Sequence, residues 1–192
     1  ENTVSSKKEY NWIVDPLDGT TNFVHGIPCY AVSIALERNG EIIAGVVYEI
    51  GRDECFYAEK NSGAFLNGKE IKVSERKNLS ESLIATGFPI YNFDRIDSYF
   101  ETLNYLMRNT HGVRRIGAAA ADLCYLACGR VDAFFEYNLN PWDVAAGALI
   151  AKEAGGMVYD FSGKDNWLFG KEICVTNAFL QQEFGEVIKR FF

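Results

Sequence analysis

Two aspartates stand three residues apart, on either side of a proline, in the stretch WIVDPLDGTTNF at residues 12–23. Asp15 ends a short apolar run. Pro16 has no N–H with which to extend a ladder, and its ring fixes its own φ. In the turn that follows, Asp15 and Asp18 can face one point, and the Leu17 carbonyl can join them. Two carboxylates and a carbonyl are hard oxygen donors. They suit Mg²⁺, which keeps several waters and often shares substrate phosphates. Gly19-Thr20-Thr21 then opens a helical turn, whose free N–H groups and dipole favour a phosphate group. A divalent cation beside an anion cradle is what hydrolysis of a phosphate ester requires. A plainer account also fits the turn: Asp18 caps a helix and Asp15 caps the turn.

Asp143, in NPWDVAAG, sits after a tryptophan and before a helix of small residues. Alone it reads as another helix cap. Folded against the first turn, it would be a third carboxylate for the same cation. Spacing leaves both readings open.

The elements that must position these groups fall into two parts. Residues 11–14 read as a strand arriving at the turn. CYAVSIALERNGEIIAGVVYEI reads as two apolar strands joined at Asn39-Gly40, a strong hairpin signal. Further strands follow, with turns at Asn61-Ser62-Gly63 and Asn67-Gly68, so the first third is antiparallel sheet. The pattern changes near Lys77-Asn78, which divides the chain into 1–77 and 78–192. SESLIATGFP reads as a short strand entering a loop. Ile96, Tyr99, Phe100, Leu103, Leu106 and Met107 recur at helical period, and His111-Gly112 is expected to close that helix. GVRRIG is a strand. AAAADLCYLACGR is a small-residue helix ending at Gly129. VDAFFEY is a strand, DVAAGALIAKEAGG a helix stopped by paired glycines, MVYDF and ICVTN are strands, and FLQQEFGEVIKRFF is a closing helix. The fold class is α/β: an antiparallel sheet in the N-terminal part, then a mixed sheet with helices.

The formal net charge of −7 argues against a general nucleic-acid binder, which carries a basic patch or stripe. It does not exclude an anionic substrate, because a bound cation reverses the local sign. Five cysteines, with no CxxC and no histidine at zinc spacing, indicate reduced thiols in a cytoplasmic protein. Cys124 and Cys128 share a helix face but have no further metal ligand nearby. No signal peptide and no apolar run of about 18 residues is present, so no membrane span is expected. The chain starts without methionine, in the polar run ENTVSSKKEYN, as a fragment or a processed chain does.

WIVDPLDGTTNFVHGIP closely resembles the first signature of the inositol monophosphatase family, and WDVAAGALIAKEAGG resembles the second. GAFLNGKEIKVS and RRIGAAAADLCYLACGRVDAFFE, between them, are similar to family segments as well. The resemblance implies a layered α+β sandwich of the αβαβα type. It implies a site with two or three Mg²⁺ ions, replaceable by Mn²⁺ and inhibited by Li⁺. In it Asp15 bridges two ions, the Leu17 carbonyl binds the first, and Asp18 with Asp143 completes the second. Thr20 orients and deprotonates the attacking water, and the N–H groups of Gly19 and Thr20 hold phosphate. Glu136 matches the position that contacts a sugar-like hydroxyl, against a plain reading as an exposed strand-end carboxylate. Gly117 and Ala118 match a backbone segment beside the polyol. The family often has Ser or Thr where Ala118 stands, which removes a hydroxyl. Arg114 and Arg115 either attract an anionic substrate or form a solvated pair, and His25 is read as structural.

The family begins with helices and a Gly-Glu-Glu-like segment whose first Glu binds metal. Glu1 reads as the tail of that segment, so the ligand Glu, and an acidic partner of Thr20, would fall outside the chain. The activity implied is hydrolysis of inositol monophosphate or another small phosphorylated polyol or sugar, by direct attack of water, in a homodimer. Thr21-Asn22-Phe23 resembles the inositol branch. Related branches act on fructose 1,6-bisphosphate, 3′-phosphoadenosine 5′-phosphate or histidinol phosphate. The reading from another class is a non-catalytic relative that acts as a binding partner.

Overall fold

A computed structural model describes residues 9–90 and 92–192. Glu1, read above as the tail of an acidic segment, lies outside the described residues.

Six strands form the first sheet, each antiparallel to the next in chain order: β1 (Tyr10–Asp18), β2 (Ala31–Arg38), β3 (Glu41–Glu49), β4 (Glu54–Glu59), β5 (Ala64–Leu66) and β6 (Lys69–Ile71). Asn39 and Gly40 both adopt positive φ, at 51° and 86°, as a two-residue hairpin turn demands. Asn67 and Gly68 do the same at 47° and 81°. One row across the sheet runs Ile13, Ala35, Gly45, Ala58, Ala64. Its small residues let a helix lie close, and a Cβ on Gly45 would come within 3.0 Å of Ala146 Cα.

The second sheet has the order β10-β11-β9-β7-β8. β7 (Leu83–Thr86) is parallel to β8 (Gly112–Arg114) and to β9 (Ala133–Tyr137). β11 (Glu172–Thr176) is antiparallel to β9 and to β10 (Met157–Tyr159), so the sheet is mixed. α3 (Ala119–Ala127) and α4 (Pro141–Glu153) lie between the sheets and share one hydrophobic cluster with both. Gly147 brings the two helices together, since a Cβ there would meet Leu123 Cβ at 2.7 Å. α2 (Ile96–Asn109) and α5 (Gln181–Phe191) cover the other face of the second sheet through a separate cluster around Tyr99, Phe135 and Phe184. The layers therefore run sheet, helix pair, sheet, helix pair. Among the described residues the outer face of the first sheet is open, and Trp12 on it is 68% exposed.

Three local expectations are corrected. β1 does not stop before Pro16. It continues to Asp18, because a bulge absorbs one residue: Asp15 pairs with Ser33 and Asp18 with Ala31. A bulge is one of the few places in a sheet that tolerates proline. α2 ends at Asn109, not at His111-Gly112. Thr110 turns extended, and both its N–H and its hydroxyl donate to the Leu106 carbonyl. His111 already donates to the Ser82 carbonyl, and Gly112 opens β8. Of the periodic residues on α2, Tyr99 and Leu106 are buried, whereas Phe100 and Met107 point to solvent. The five cysteines are free, and Cys29, Cys124 and Cys174 are buried. Among the described residues no helix is long and apolar enough to cross a membrane.

Candidate active site

The bulge at the end of β1 shapes the first half of the site. The Leu17 N–H donates to Asp15 Oδ1 at 3.0 Å, which fixes that carboxylate, and the Asp143 carboxyl shares a hydrogen bond with it. The Thr20 hydroxyl donates to the Leu17 carbonyl at 2.9 Å. Gly19 adopts φ 80°, and a Cβ there would lie 3.0 Å from the Cys29 carbonyl oxygen and 3.1 Å from Ala118 Cβ. Glycine is needed twice over, for the left-handed backbone and for the close approach. α1 (Thr20–Val24) follows. Its buried Asn22, whose structural part the sequence did not disclose, donates through Nδ2 to the Cys29 and Ile116 carbonyls. That ties the turn to the 116–118 segment.

Asp18 and Asp143 are indeed helix caps, though neither caps α1. Asp18 Oδ2 accepts the Ala120 N–H at 2.8 Å, at the start of α3 and 102 residues away. Asp143 is the third residue of α4, behind Pro141, and its Oδ2 accepts the Asn140 N–H at 2.7 Å. Each carboxylate thus uses one oxygen on the scaffold. One oxygen from each of Asp15, Asp18 and Asp143 lies within 4.8 Å of the others. The capping account and the cluster account are both true of the same residues.

Gathered in this way, the carboxylates resist ionisation. Burial pushes Asp18 up to about 7, against the pull of the Ala120 N–H, and the charges of Asp15 and Asp143 add to it. Burial, with the Asp15 charge behind it, raises Asp143 to about 6. Asp15 is raised by burial against its hydrogen bond from Leu17. Three crowded carboxylates whose remaining oxygens converge, beside a carbonyl, are a donor set for a hard divalent cation, whose charge would reverse these shifts.

A cleft of about 480 Å³ opens on this cluster. Asp15, Leu17, Asp18, Gly19, Thr20, Gly117, Ala118, Glu136 and Asp143 all line it, so the structure brings every site residue expected from the sequence to one place. Glu136 is half-buried on β9. Burial drives its carboxyl well above the usual range, the charges of Asp122, Asp18 and Asp143 add to that, and Arg115 opposes it. The two arginines part company. Arg114 donates to the Val113 carbonyl, whereas Arg115 lines the cleft with its guanidinium 5.3 Å from the Phe88 ring centre. His25 is exposed at the C-terminal end of α1 and is not on the cleft. Sequence reasoning missed Gly87-Phe88-Pro89-Ile90, which forms a further wall. The Gly-x-Pro punctuation after a short strand was the available signal.

Asp122 was also missed. It is 1% exposed on α3, and among the described residues neither of its oxygens makes a well-formed hydrogen bond, although the Gly117 N–H is near enough to pull against its shift. Burial, then the Asp18 charge, raises its pKa well above the ordinary value. A carboxyl whose folded pKa is raised stabilises the fold when protonated, and that stability is lost as pH rises. Asp122→Asn is therefore expected to raise the melting temperature, by more at pH 8 than at pH 5. Equal shifts at the two pH values in differential scanning calorimetry would refute this charge argument.

The inositol monophosphatase family model matches residues 1–190. The chain belongs to this family. Inositol monophosphatase family members are metal-dependent phosphoric monoester hydrolases. A Neisseria meningitidis serogroup B protein named putative Nus factor SuhB is 50% identical over 180 residues, covering 94% of this chain and 69% of the relative. A Thermotoga maritima protein named fructose-1,6-bisphosphatase/inositol-1-monophosphatase is 42% identical over 188 residues, covering 98% of this chain and 71% of the relative. The crystal structure of extragenic suppressor protein suhB from Bartonella henselae superposes with a TM-score of 0.93 at 44% identity, over all of this chain and 74% of that one.

Proposed function

We propose that this inositol monophosphatase family chain hydrolyses a small phosphorylated polyol, inositol monophosphate foremost, with Mg²⁺ as its cation. The observation that carries the reading is the convergence of Asp15, Asp18 and Asp143 at one end of a cleft that also holds Glu136. Asp15, the Leu17 carbonyl, Asp18 and Asp143 are the groups that would hold the cation. Once bound, it supplies positive charge to the attacking and leaving oxygens.

The remaining steps belong to the chain itself. The Thr20 hydroxyl commits its proton to the Leu17 carbonyl, so its lone pairs are free to accept from a water and orient it for in-line attack. The N–H groups of Gly19 and Thr20, at the entry to α1, hold phosphoryl oxygens. Glu136 accepts a hydrogen bond from a substrate hydroxyl, and Gly117 and Ala118 flank the polyol.

Fructose 1,6-bisphosphate is the second substrate reading. Arg115 supports it: among the described residues no carboxylate lies within ion-pair distance of its guanidinium, which borders the cleft and suits a second anionic group. The Neisseria relative's name, Nus factor, supports a third reading, in which the chain serves as a binding partner. A panel of inositol 1-phosphate, fructose 1,6-bisphosphate and 3′-phosphoadenosine 5′-phosphate, assayed for phosphate release with and without Mg²⁺, separates these. The expected result is turnover of inositol 1-phosphate that EDTA abolishes and Mg²⁺ restores. No release from any of the three would sink the enzymatic reading for this chain.

A further inference from the structure

β7 ends at Thr86, which pairs with Phe135 of β9 in parallel register. The next positions along the chain are Gly87, just past β7, and Glu136 on β9. Side chains at such neighbouring positions normally stand beside one another. Here the Glu136 side chain folds across its neighbour. A Cβ on Gly87 would lie 2.0 Å from Glu136 Oε1, 2.1 Å from Cδ and 2.2 Å from Oε2. The carboxyl group fills the space that any side chain at 87 would need.

Backbone conformation does not call for glycine here, because Gly87 is absent from the positive-φ residues. Nor is the backbone free to retreat. Thr86 is fully buried, and its hydroxyl lies 3.3 Å from both the Gly87 carbonyl oxygen and the Tyr99 hydroxyl. Pro89 restricts Phe88 on the other side. Both Gly87 and Glu136 line the cleft that holds the aspartate cluster.

We propose that Gly87 is a positioning residue: its missing side chain provides the space that fixes the Glu136 carboxylate in the cleft, and so determines how the site reads a hydroxyl-bearing substrate. This rests on the reading of Glu136 as a hydroxyl contact. A methyl group at 87 must push the carboxylate to another rotamer, while an enzyme without that carboxylate should not notice the methyl.

A double-mutant cycle tests it. Gly87→Ala is expected to raise KM for inositol 1-phosphate by about tenfold or more while kcat changes by less than about threefold, the pattern of lost ground-state binding. Glu136→Ala alone should raise KM comparably, and Gly87→Ala added to it should change KM by less than about twofold. Glu136→Asp, shorter by one methylene, should recover part of the KM lost in Gly87→Ala. An equal KM increase in both backgrounds, or none in either, overturns the proposal. If the unmutated chain releases no phosphate from any ester, the enzymatic reading fails separately, and melting temperatures carry the same cycle. Gly87→Ala must then lower the melting temperature only while Glu136 is present, and an equal loss in both backgrounds overturns the positioning role.

Discussion

Asp15→Asn is expected to lower kcat for inositol 1-phosphate by about 10³-fold, or about 4 kcal/mol of transition-state stabilisation, with the fold unchanged. Asparagine keeps an oxygen in place to accept the Leu17 N–H, so the bulge and the turn survive. What it removes is one negative charge from a cluster whose converging oxygens lie within 4.8 Å of one another. That charge matters little to the scaffold, where burial already raises the Asp15 pKa. It matters greatly to a bound cation, for which a neutral amide oxygen is a poor substitute. The check pairs steady-state kinetics with a Mg²⁺ titration. Activity within tenfold of the unmutated chain at saturating Mg²⁺ would refute the assignment of Asp15 as a ligand.

The second large effect belongs to Asp18, where two substitutions separate two jobs. Asp18 accepts the Ala120 N–H at the start of α3 and presents its other oxygen to the cluster. Asp18→Asn keeps an acceptor for Ala120 and removes a carboxylate whose pKa is pushed to about 7. Stability at pH 8 is expected to hold or rise, because the penalty for ionising a buried carboxylate disappears as the sign of the shift requires. Activity should nevertheless fall by about 10²-fold or more, the scale of losing one preorganised electrostatic group. Asp18→Ala loses activity in the same way but also leaves the α3 N–H unpaired, at a cost of about 1–2 kcal/mol. Denaturant unfolding of both variants checks this. If Asp18→Asn destabilised the chain as much as Asp18→Ala, the carboxylate would be there for the scaffold alone.

Much of the fold was legible because its rules are local. Asn39-Gly40 and Asn67-Gly68 announce hairpins, since few other pairs adopt positive φ at both positions cheaply. Gly129 and Gly155, at φ 75° and 91°, mark helix ends for the same reason. The places that misled were those where a neighbour distant in sequence intervened. β1 runs through Pro16 because β2 accommodates a bulge opposite it. α2 stops at Thr110 because Ser82, on another segment, takes the His111 N–H. Phe100 and Met107 share the period of Tyr99 and Leu106 but face away from the second sheet. α3 and α4 were recognisable as helices of small residues, but not as the layer between two sheets, because a helix buried on every side carries no amphipathic stripe to show its orientation.

The site divides along the same line. The sequence by itself determined the donor chemistry: two carboxylates on a rigid turn, a third at a helix start, and a glycine that opens a helical turn beside them. It also determined the family, because two long signatures occur in order. Only the tertiary structure decided that Asp143 meets Asp15 and Asp18, that Asp18 caps α3 instead of the helix beside it, that Asp122 lies buried within reach of the Asp18 charge, and that Glu136 occupies the space above Gly87. The reason is one of range. Backbone preference and turn chemistry act over a few residues, whereas the distance between oxygens from positions 15, 18 and 143 depends on strand register and on how closely two small-residue helices pack between the sheets.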